Sequence, residues 1–385
     1  MYAVSNAFHE AVRNGNKQRA LLLFENEVFT NEDIDVEGGI EFRDYFNLEE
    51  NLSIGQTPSN EISFGLFNDD RLLNNDSFGE FLATIGVLIS TETVTQEGKC
   101  KAVTAGGTWV GSENEPYLKK DGTSVSTQPG FPVRAIWACD GKVYAYSGNG
   151  QVKVYNDSTG ADITSGTTVT AHMAARGAAW TGKGISYNRS TRMMSIIEGT
   201  VKENYEFCPL GIFIAERPNA PDKIVIDMTC YDLMQKFDTD WPDNGIGLTY
   251  PTTIGGLYAQ LCTYIGVPYR TASFLNSGKA ITSEPDDFEK VTCRTVLGWI
   301  AEAAGSNARI DRDGYVVLDW IRTGTAQSAV FDETMYSEYD PYWYETQRVS
   351  KLYNRDTSEN TDATVGTGSS PYLIQDNPLL RGVNT

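Results

Sequence analysis

The sequence predicts an α+β fold that is mostly β, and three observations carry that prediction. The 385 residues include 36 glycines and 20 tyrosines, a usage that favours strands joined by many turns. Short apolar runs with period-two alternation recur along most of the chain, bounded by Gly, Asn and Asp. One stretch, Val291 to Trp320 (VTCRTVLGWIAEAAGSNARIDRDGYVVLDW), reads as a helix feeding a β-hairpin. In it Val296, Leu297, Ile300, Ala303 and Ala304 recur at helical spacing. Thr292 is placed to cap the helix. Gly305 is placed to stop it in a left-handed turn. Ala308 and Ile310 then alternate with polar neighbours, Asp313-Gly314 supplies a tight turn, and Tyr315 to Leu318 form the return strand. With no His, no Cys pair and no phosphate loop, this unit by itself predicts scaffold and not chemistry.

In chain order, Tyr2 to Asn14 reads as a short helix or an extended lead, and Arg19 to Phe29 (RALLLFENEVF) as one strong strand. Thr30 to Val36 is an acidic turn. Ile40 to Leu48 and Asn60 to Leu66 alternate, Asn75 to Phe81 is a polar connection, and Ala83 to Val94 is a long apolar strand. From Lys99 to about Met194 the chain turns rich in Gly, Thr and Ser, and its basic residues exceed its acidic ones. Val133 to Cys139, Lys142 to Ser147 and Gln151 to Asn156 read as a meander closed by Asp140-Gly141 and Gly148-Asn149-Gly150. The composition jump at both ends marks residues 99–194 as an inserted all-β module.

Glu203 to Cys208, Gly211 to Glu216 and Lys223 to Met228 are predicted strands, with a helix start at Asp232. A first β-domain therefore comprises 1–98 plus 195–238. In the next domain, 239–330, Ile254, Leu257, Tyr258, Leu261 and Ile265 give a helix face, with Gly266 as its stop and Pro268 beyond. Asp286 to Lys290 is an acidic loop, and the helix-hairpin completes the domain. Residues 331–385 read as the start of another β-domain, with a strand at Thr346 to Asn354 and a polar, mobile loop at Asp356 to Ser370. Some fifty-five residues are too few to complete a barrel of the first domain's size. Either the chain is shortened or its last domain is reduced.

The net charge of −20 opposes nonspecific binding to nucleic acid, whose phosphates demand Lys and Arg. It is compatible with an acidic lumen that DNA passes without sticking, and equally with solubility alone. Six cysteines (Cys100, Cys139, Cys208, Cys230, Cys262, Cys293) lie far apart, so buried thiols are expected and a zinc site is not. No apolar run approaches the roughly 20 residues a membrane helix needs. Asn6, His9, Glu10 and Arg13 interrupt any signal-peptide pattern, so synthesis in the cytoplasm is expected.

Candidate chemistry is sparse. The histidines are His9 and His172, and neither has a nucleophile in a recognisable elbow nearby. Asp311, Asp313 and Asp319 lack the sixth-position glycine and twelfth-position Glu of a calcium loop. The acidic pairs Glu49-Glu50 and Asp69-Asp70, and the cluster Asp332, Glu333, Glu338 and Asp340, read as solvated faces. AGGTWVG (Ala105 to Gly111) has no following helix and is no dinucleotide loop. No catalytic residue, cofactor or metal is therefore assigned. The aromatic stretch YSEYDPYWY (Tyr336 to Tyr344), with Tyr342 and Trp343, suits burial in a protein interface better than sugar stacking.

The helix-hairpin resembles a segment of phage tail hub proteins, the trimeric rings at the distal end of tails and contractile injection machines. Thr292, Arg294, Val296, Leu297, Ile300, Ala301, Glu302, Gly305, Ala308, Ile310, Asp313 and Gly314 fit a phrase common in that family. Asp222 to Asp238 (DKIVIDMTCYDLMQKFD), Tyr372 to Leu380 (YLIQDNPLL) and the opening MYAVSNAFHEAVRN are similar to other family blocks. The resemblance implies a tube-like hub β-barrel (1–98 plus 195–238) with an inserted module (99–194). A helix-containing hub domain (239–330) and part of a second barrel (331–385) would follow. It implies a structural, non-enzymatic function in the virion tail: a homotrimeric baseplate or tail-tip hub that joins tube to tip and gates DNA ejection. Its partners would be the distal tail protein, the tail tube protein and the tape measure protein, with DNA passing through unbound. The alternative is a receptor- or glycan-binding tip protein acting through residues 99–194. That reading requires an outward aromatic groove around Trp109, Trp137, Tyr144 and Tyr146.

Overall fold

A computed structural model describes residues 4–35, 39–45, 53–68, 71–73, 77–95, 100–216, 224–285, 288, 290–319, 351–356, 361–367 and 377–380. It is mostly β with few helices, and its main feature is a strongly curled mixed half barrel beside a separate small antiparallel sheet. The chain divides into two compact units, Met1–Phe42 with Ile62–Cys230, and Arg43–Glu61 with Tyr231–Thr385.

The first unit opens with α1 (Asn6–Arg13), β1 (Gln18–Phe24), β2 (Val28–Thr30), β3 (Ile40–Arg43), β4 (Glu61–Phe67) and β5 (Gly79–Thr93). A small sheet follows: β6 (Cys100–Thr104), β7 (Gly107–Gly111), β8 (Leu118–Lys120) and β9 (Thr123–Ser124). Next come β10 (Ala135–Cys139), β11 (Lys142–Tyr146), β12 (Val152–Asn156) and α2 (Ala171–Ala179). The unit closes with β13 (Lys183–Asn188), β14 (Met193–Glu198), β15 (Val201–Ala215) and β16 (Val225–Asp232).

The half barrel follows the order β12-β11-β10-β13-β14-β15-β16-β4-β3, with β5, β1 and β2 attached through β15. Its spine is the antiparallel pairing of two 15-residue strands, β5 and β15. Two register shifts, at Asn204/Tyr205 and Pro209/Gly211, bend this ribbon and admit Pro209 into a central strand. The sequence divided β15 into two strands at that proline. The bulge absorbs the missing N–H, and pairing continues through it.

Three apolar clusters explain the strand sequences. Leu21 and Leu23 of β1 enter one core with Trp137, Tyr187 and Phe207. Leu22 and Phe24 enter another with Phe64, Phe81 and Phe213. Because both faces of β1 are buried, its sequence is an unbroken apolar run and not an alternation. Phe24 stacks on Phe81 at 4.5 Å between centroids, and Phe64 meets Phe81 edge-on at 5.8 Å. Such pairs add about 0.5–1.5 kcal/mol each beyond area burial. The third core lies between β6–β8 and the other face of β10–β12, where Trp109 packs with Ile136, Ala138, Val143 and Tyr155.

Several expectations are corrected. Arg19 to Phe29 is a hairpin, not one strand: Phe24 N donates to Glu27 O at 3.0 Å and β2 returns along β1. The polar Glu25-Asn26 step supplies the turn inside an otherwise apolar run. Residues 99–194 are not wholly β, because α2 forms where Thr170 caps a run of good helix formers and accepts from Met173 N. Nor does the sheet stop at Met194: β14 spans that position and pairs with β15. Among the described residues of 99–194, only β6–β9 form a sheet of their own.

The second unit contains β17 (Thr252–Thr253), α3 (Ile254–Ile265), β18 (Ala280–Ile281), α4 (Cys293–Ala303), β19 (Asn307–Ile310), β20 (Val316–Asp319), β21 (Lys351–Asp356) and β22 (Thr361–Thr367). Gly266, at φ +76°, stops α3 as its position predicts. Thr292 caps α4 by accepting from Thr295 N. Gly305 N donates to Glu302 O and Ser306 N to Ala301 O, the paired bonds of a Schellman stop. Residues 43–61, expected in the first barrel, belong here: Gly55 N donates to Ser306 O and Ala308 N to Gln56 O. Within the expected polar loop 356–370, residues 361–367 are strand β22, antiparallel to β21. The run TDATVGT alternates enough to pair, which its polarity obscured.

Candidate functional site

The four aromatic residues proposed to line an outward groove are inside the molecule. Trp109 is 0%, Trp137 2%, Tyr144 8% and Tyr146 0% exposed. Trp137 lies 5.7 Å from Trp180, Tyr146 meets Trp180 edge-on at 5.9 Å, and Trp109 lies 5.9 Å from Tyr155. Sugar stacking needs an open ring face, so the aromatic-groove reading fails at these positions. Trp109 fills the core between β6–β8 and β10–β12, and Trp137, Tyr144 and Tyr146 fill the core on the opposite face of β10–β12 with Trp180. Tyr342, Trp343 and the rest of Tyr336 to Tyr344 lie outside the described residues, as do Glu49, Glu50, Asp69, Asp70 and the acidic cluster at 332–340.

His9 is exposed on α1, whereas His172 is buried on α2 in a charged network. Its Nδ1 lies 3.1 Å from Glu27 Oε2 and its Nε2 lies 3.3 Å from Arg176 Nη2. Arg176 also pairs with Asp33 Oδ1, and Thr170 Oγ1 donates to Glu27 at 2.5 Å. Burial raises the Asp33 carboxyl above its ordinary value, opposed by the neighbouring guanidinium. The network ties α2 to the β1–β2 hairpin. None of its members is open enough to meet a substrate.

Asp311 and Asp313 serve the β19–β20 turn. Asp311 Oδ1 accepts from Asp313 N and Tyr315 N, and Arg270 bridges both carboxylates. Asp319 pairs with Arg309 at 3.0 Å. Among the described residues no group of three or more His, Cys, Asp or Glu is arranged to hold a metal, and no helix is long and apolar enough to cross a membrane. All six cysteines are free thiols, and burial pushes Cys100, Cys230 and Cys262 up to about 12.

Three of the four blocks that carry the family resemblance contribute residues that meet in the second unit. Arg294 donates to Thr57 O at 3.0 and 2.7 Å, to Ser59 Oγ at 3.1 Å and to Asp238 at 3.0 Å. Asp232 accepts from Asn60 N and Met234 N, while Asn60 Nδ2 donates to Ile310 O. Burial raises the Asp232 carboxyl to about 7 against those donors. Asn377, in the block YLIQDNPLL, donates to Trp299 O at 2.7 Å and to Glu302 Oε2 at 2.9 Å. Val296, Leu297, Ile300 and Ala308 are fully buried. Each described residue of these blocks named here does structural work.

The first unit also carries a polar cleft that sequence reasoning did not find. It has a volume of about 450 Å³ and lies where the turns after β6, β10 and β13 converge. Asp140 (φ +49°) and Gly141 (φ +73°) form the tight turn expected between β10 and β11. Arg189 Nη2 and Nε donate to the two Asp140 oxygens at 2.8 and 3.2 Å. Asp157 is occupied by protein donors, accepting from Thr104 Oγ1 at 2.6 Å, Trp109 Nε1 at 2.8 Å and Gly106 N at 3.0 Å. The signal available in sequence was the basic, Ser- and Gly-rich character of 99–194. It could not say which turns share one end of the sheet.

Comparison with known protein families, curated proteins and solved structures finds no match to this chain.

Proposed function

We propose that this chain is a structural hub of a phage tail tip or baseplate, assembling as a homotrimeric ring that joins the tail tube to the tip and gates the channel. The observation that carries the reading is the union of two separated lengths in one curled sheet. β1, β4 and β5 from residues 1–98 are hydrogen-bonded with β15 and β16 from 195–238. A curled sheet that joins these two lengths is what the resemblance to tail hubs requires of this chain, although β10–β13 of 99–194, together with β14, extend the same sheet. The meeting of three of the four resembling blocks around α4 adds support, because blocks from one ancestral scaffold are expected to serve a shared core.

On this reading the chain is no enzyme, takes no cofactor and contacts the distal tail, tube and tape measure proteins, and DNA passes it without specific binding. Cyclic symmetry then makes each subunit contact heterologous, one face meeting a different face of the next copy. Imaging tails labelled with an antibody to this chain tests the assignment: label at the distal tip is expected, and label on the head or along the tube would overturn it. Light scattering should give a mass of three chains. A purified chain that clears peptidoglycan in a zymogram would refute the non-enzymatic assignment.

A further inference from the structure

We propose that the polar cleft of the first unit binds a neutral, hydroxyl-rich ligand of one or two sugar rings. The inference stands apart from the hub reading, because it uses only the geometry of this cleft. A volume of about 450 Å³ falls within the range of small-molecule sites.

The wall offers polar groups that the protein itself does not use. Ser186, 9% exposed, lines the cleft, and its hydroxyl has no hydrogen-bond partner among the described residues. The Lys142 ammonium lines it too, likewise without a partner among them. Both groups face the open cleft and bond no described residue, so they are free to serve a ligand that supplies acceptors.

Charge sets the ligand class. Lys142 and Arg189 are balanced in the cleft by Asp140 and Asp157, so the site has no net charge to favour an anion or a cation. Asp157 is spent on Thr104, Trp109 and Gly106. The Asp140–Arg189 pair is held in a fork that leaves further donors and acceptors for adjacent hydroxyls. Apolar contact is present as well: Val103, 41% exposed, and the half-buried Met193 border the polar wall. A sugar ring presents that same mixture, hydroxyls at its edge and C–H groups on its faces.

The site is preformed. Asn188 Oδ1 accepts from Ser190 N, Ser190 Oγ and Thr191 N, which fixes the turn after β13. Little ordering entropy is then lost on binding. With no open aromatic face, affinity for a single ring is expected in the millimolar range.

The test is amide NMR of the full chain, titrated with glucose, galactose, N-acetylglucosamine and their disaccharides, and separately with inorganic phosphate. At least one saccharide should shift amides of residues 103–106, 139–142 and 186–190 together. Lys142→Met keeps the stem on the surface and should weaken that binding roughly tenfold, the effect of one lost hydrogen bond to a charged group. Ser186→Ala should weaken it by a smaller factor. The proposal is overturned if no saccharide shifts those amides. It is also overturned if phosphate shifts them and sugars do not, or if both variants bind as the wild type does.

Discussion

Replacing Arg176 with methionine separates a structural salt-bridge network from a bystander. The guanidinium is 6% exposed, pairs with Asp33 Oδ1, lies 3.3 Å from His172 Nε2 and sits 5.8 Å from the Trp180 ring centroid. Methionine fills much of the same volume, so the cavity term is small. What remains is Asp33, still accepting from Thr30 N at 2.7 Å but without its counter-charge in a nearly dry site. Breaking a buried pair by removing one partner costs about 3–5 kcal/mol.

The loss should depend on pH, and its sign follows from Asp33. Burial already raises that carboxyl above its ordinary value, and Arg176 opposes the rise. Removing Arg176 therefore raises it further. A carboxyl with a raised folded value contributes its stability fully below its unfolded value, and loses it as pH climbs through the folded value. The gap between wild type and Arg176→Met must accordingly widen from pH 5 to pH 8. Urea unfolding at both pH values gives the magnitude, and hydrogen exchange of the peptide spanning 171–180 localises it to α2. Adding Asp33→Asn should restore part of the loss, since it removes the orphaned charge. A loss under about 1 kcal/mol at pH 8, or an equal loss at both pH values, would refute the reasoning.

Two further outcomes are expected. Gly184→Ala places a Cβ 1.9 Å from Lys101 O, where β6 crosses β13, so destabilisation above about 4 kcal/mol or an insoluble chain should replace the slight gain that alanine usually brings to a strand. A urea midpoint equal to the wild type's would exclude that close crossing. Asp162, bonded to Lys153 Nζ at 2.6 Å and to Thr164 at 2.6 and 2.9 Å, is held down at about 2. The stability it contributes is present above the ordinary carboxylate value and lost as pH falls through about 2. A carboxyl NMR titration should show that low midpoint, and Lys153→Met should move it up toward the ordinary value of about 3.9. An unmoved midpoint would mean that the lysine is not its cause.

The parts legible in sequence are those whose cause is local. Thr292, Gly305, Gly266 and Asp313-Gly314 act on backbone groups a few residues away, so α3, α4 and the β19–β20 turn fell where they were expected. Helix α2 was missed because nine residues rich in Ala carry little periodicity, and only the Thr170 cap announces them. The hairpin in Arg19 to Phe29 was missed because both its strands are apolar and its turn is three residues long. The candidate cleft was beyond reach: Thr104, Asp140 and Ser186 share it although tens of residues separate them in the chain.

Composition, capping and turn chemistry determined by themselves that this protein is mostly β, that a helix runs into a hairpin near residue 300, and that its cysteines lie far apart in sequence. These follow from backbone sterics and near-neighbour hydrogen bonds, which each segment carries with it. Only the tertiary structure decided that Trp109, Trp137 and Tyr146 point inward, that β1 is buried on both faces, and that residues before 99 and after 194 share one sheet. Burial belongs to pairs of surfaces and not to single segments. A strand's apolar face finds its meaning in a partner placed by the rest of the chain.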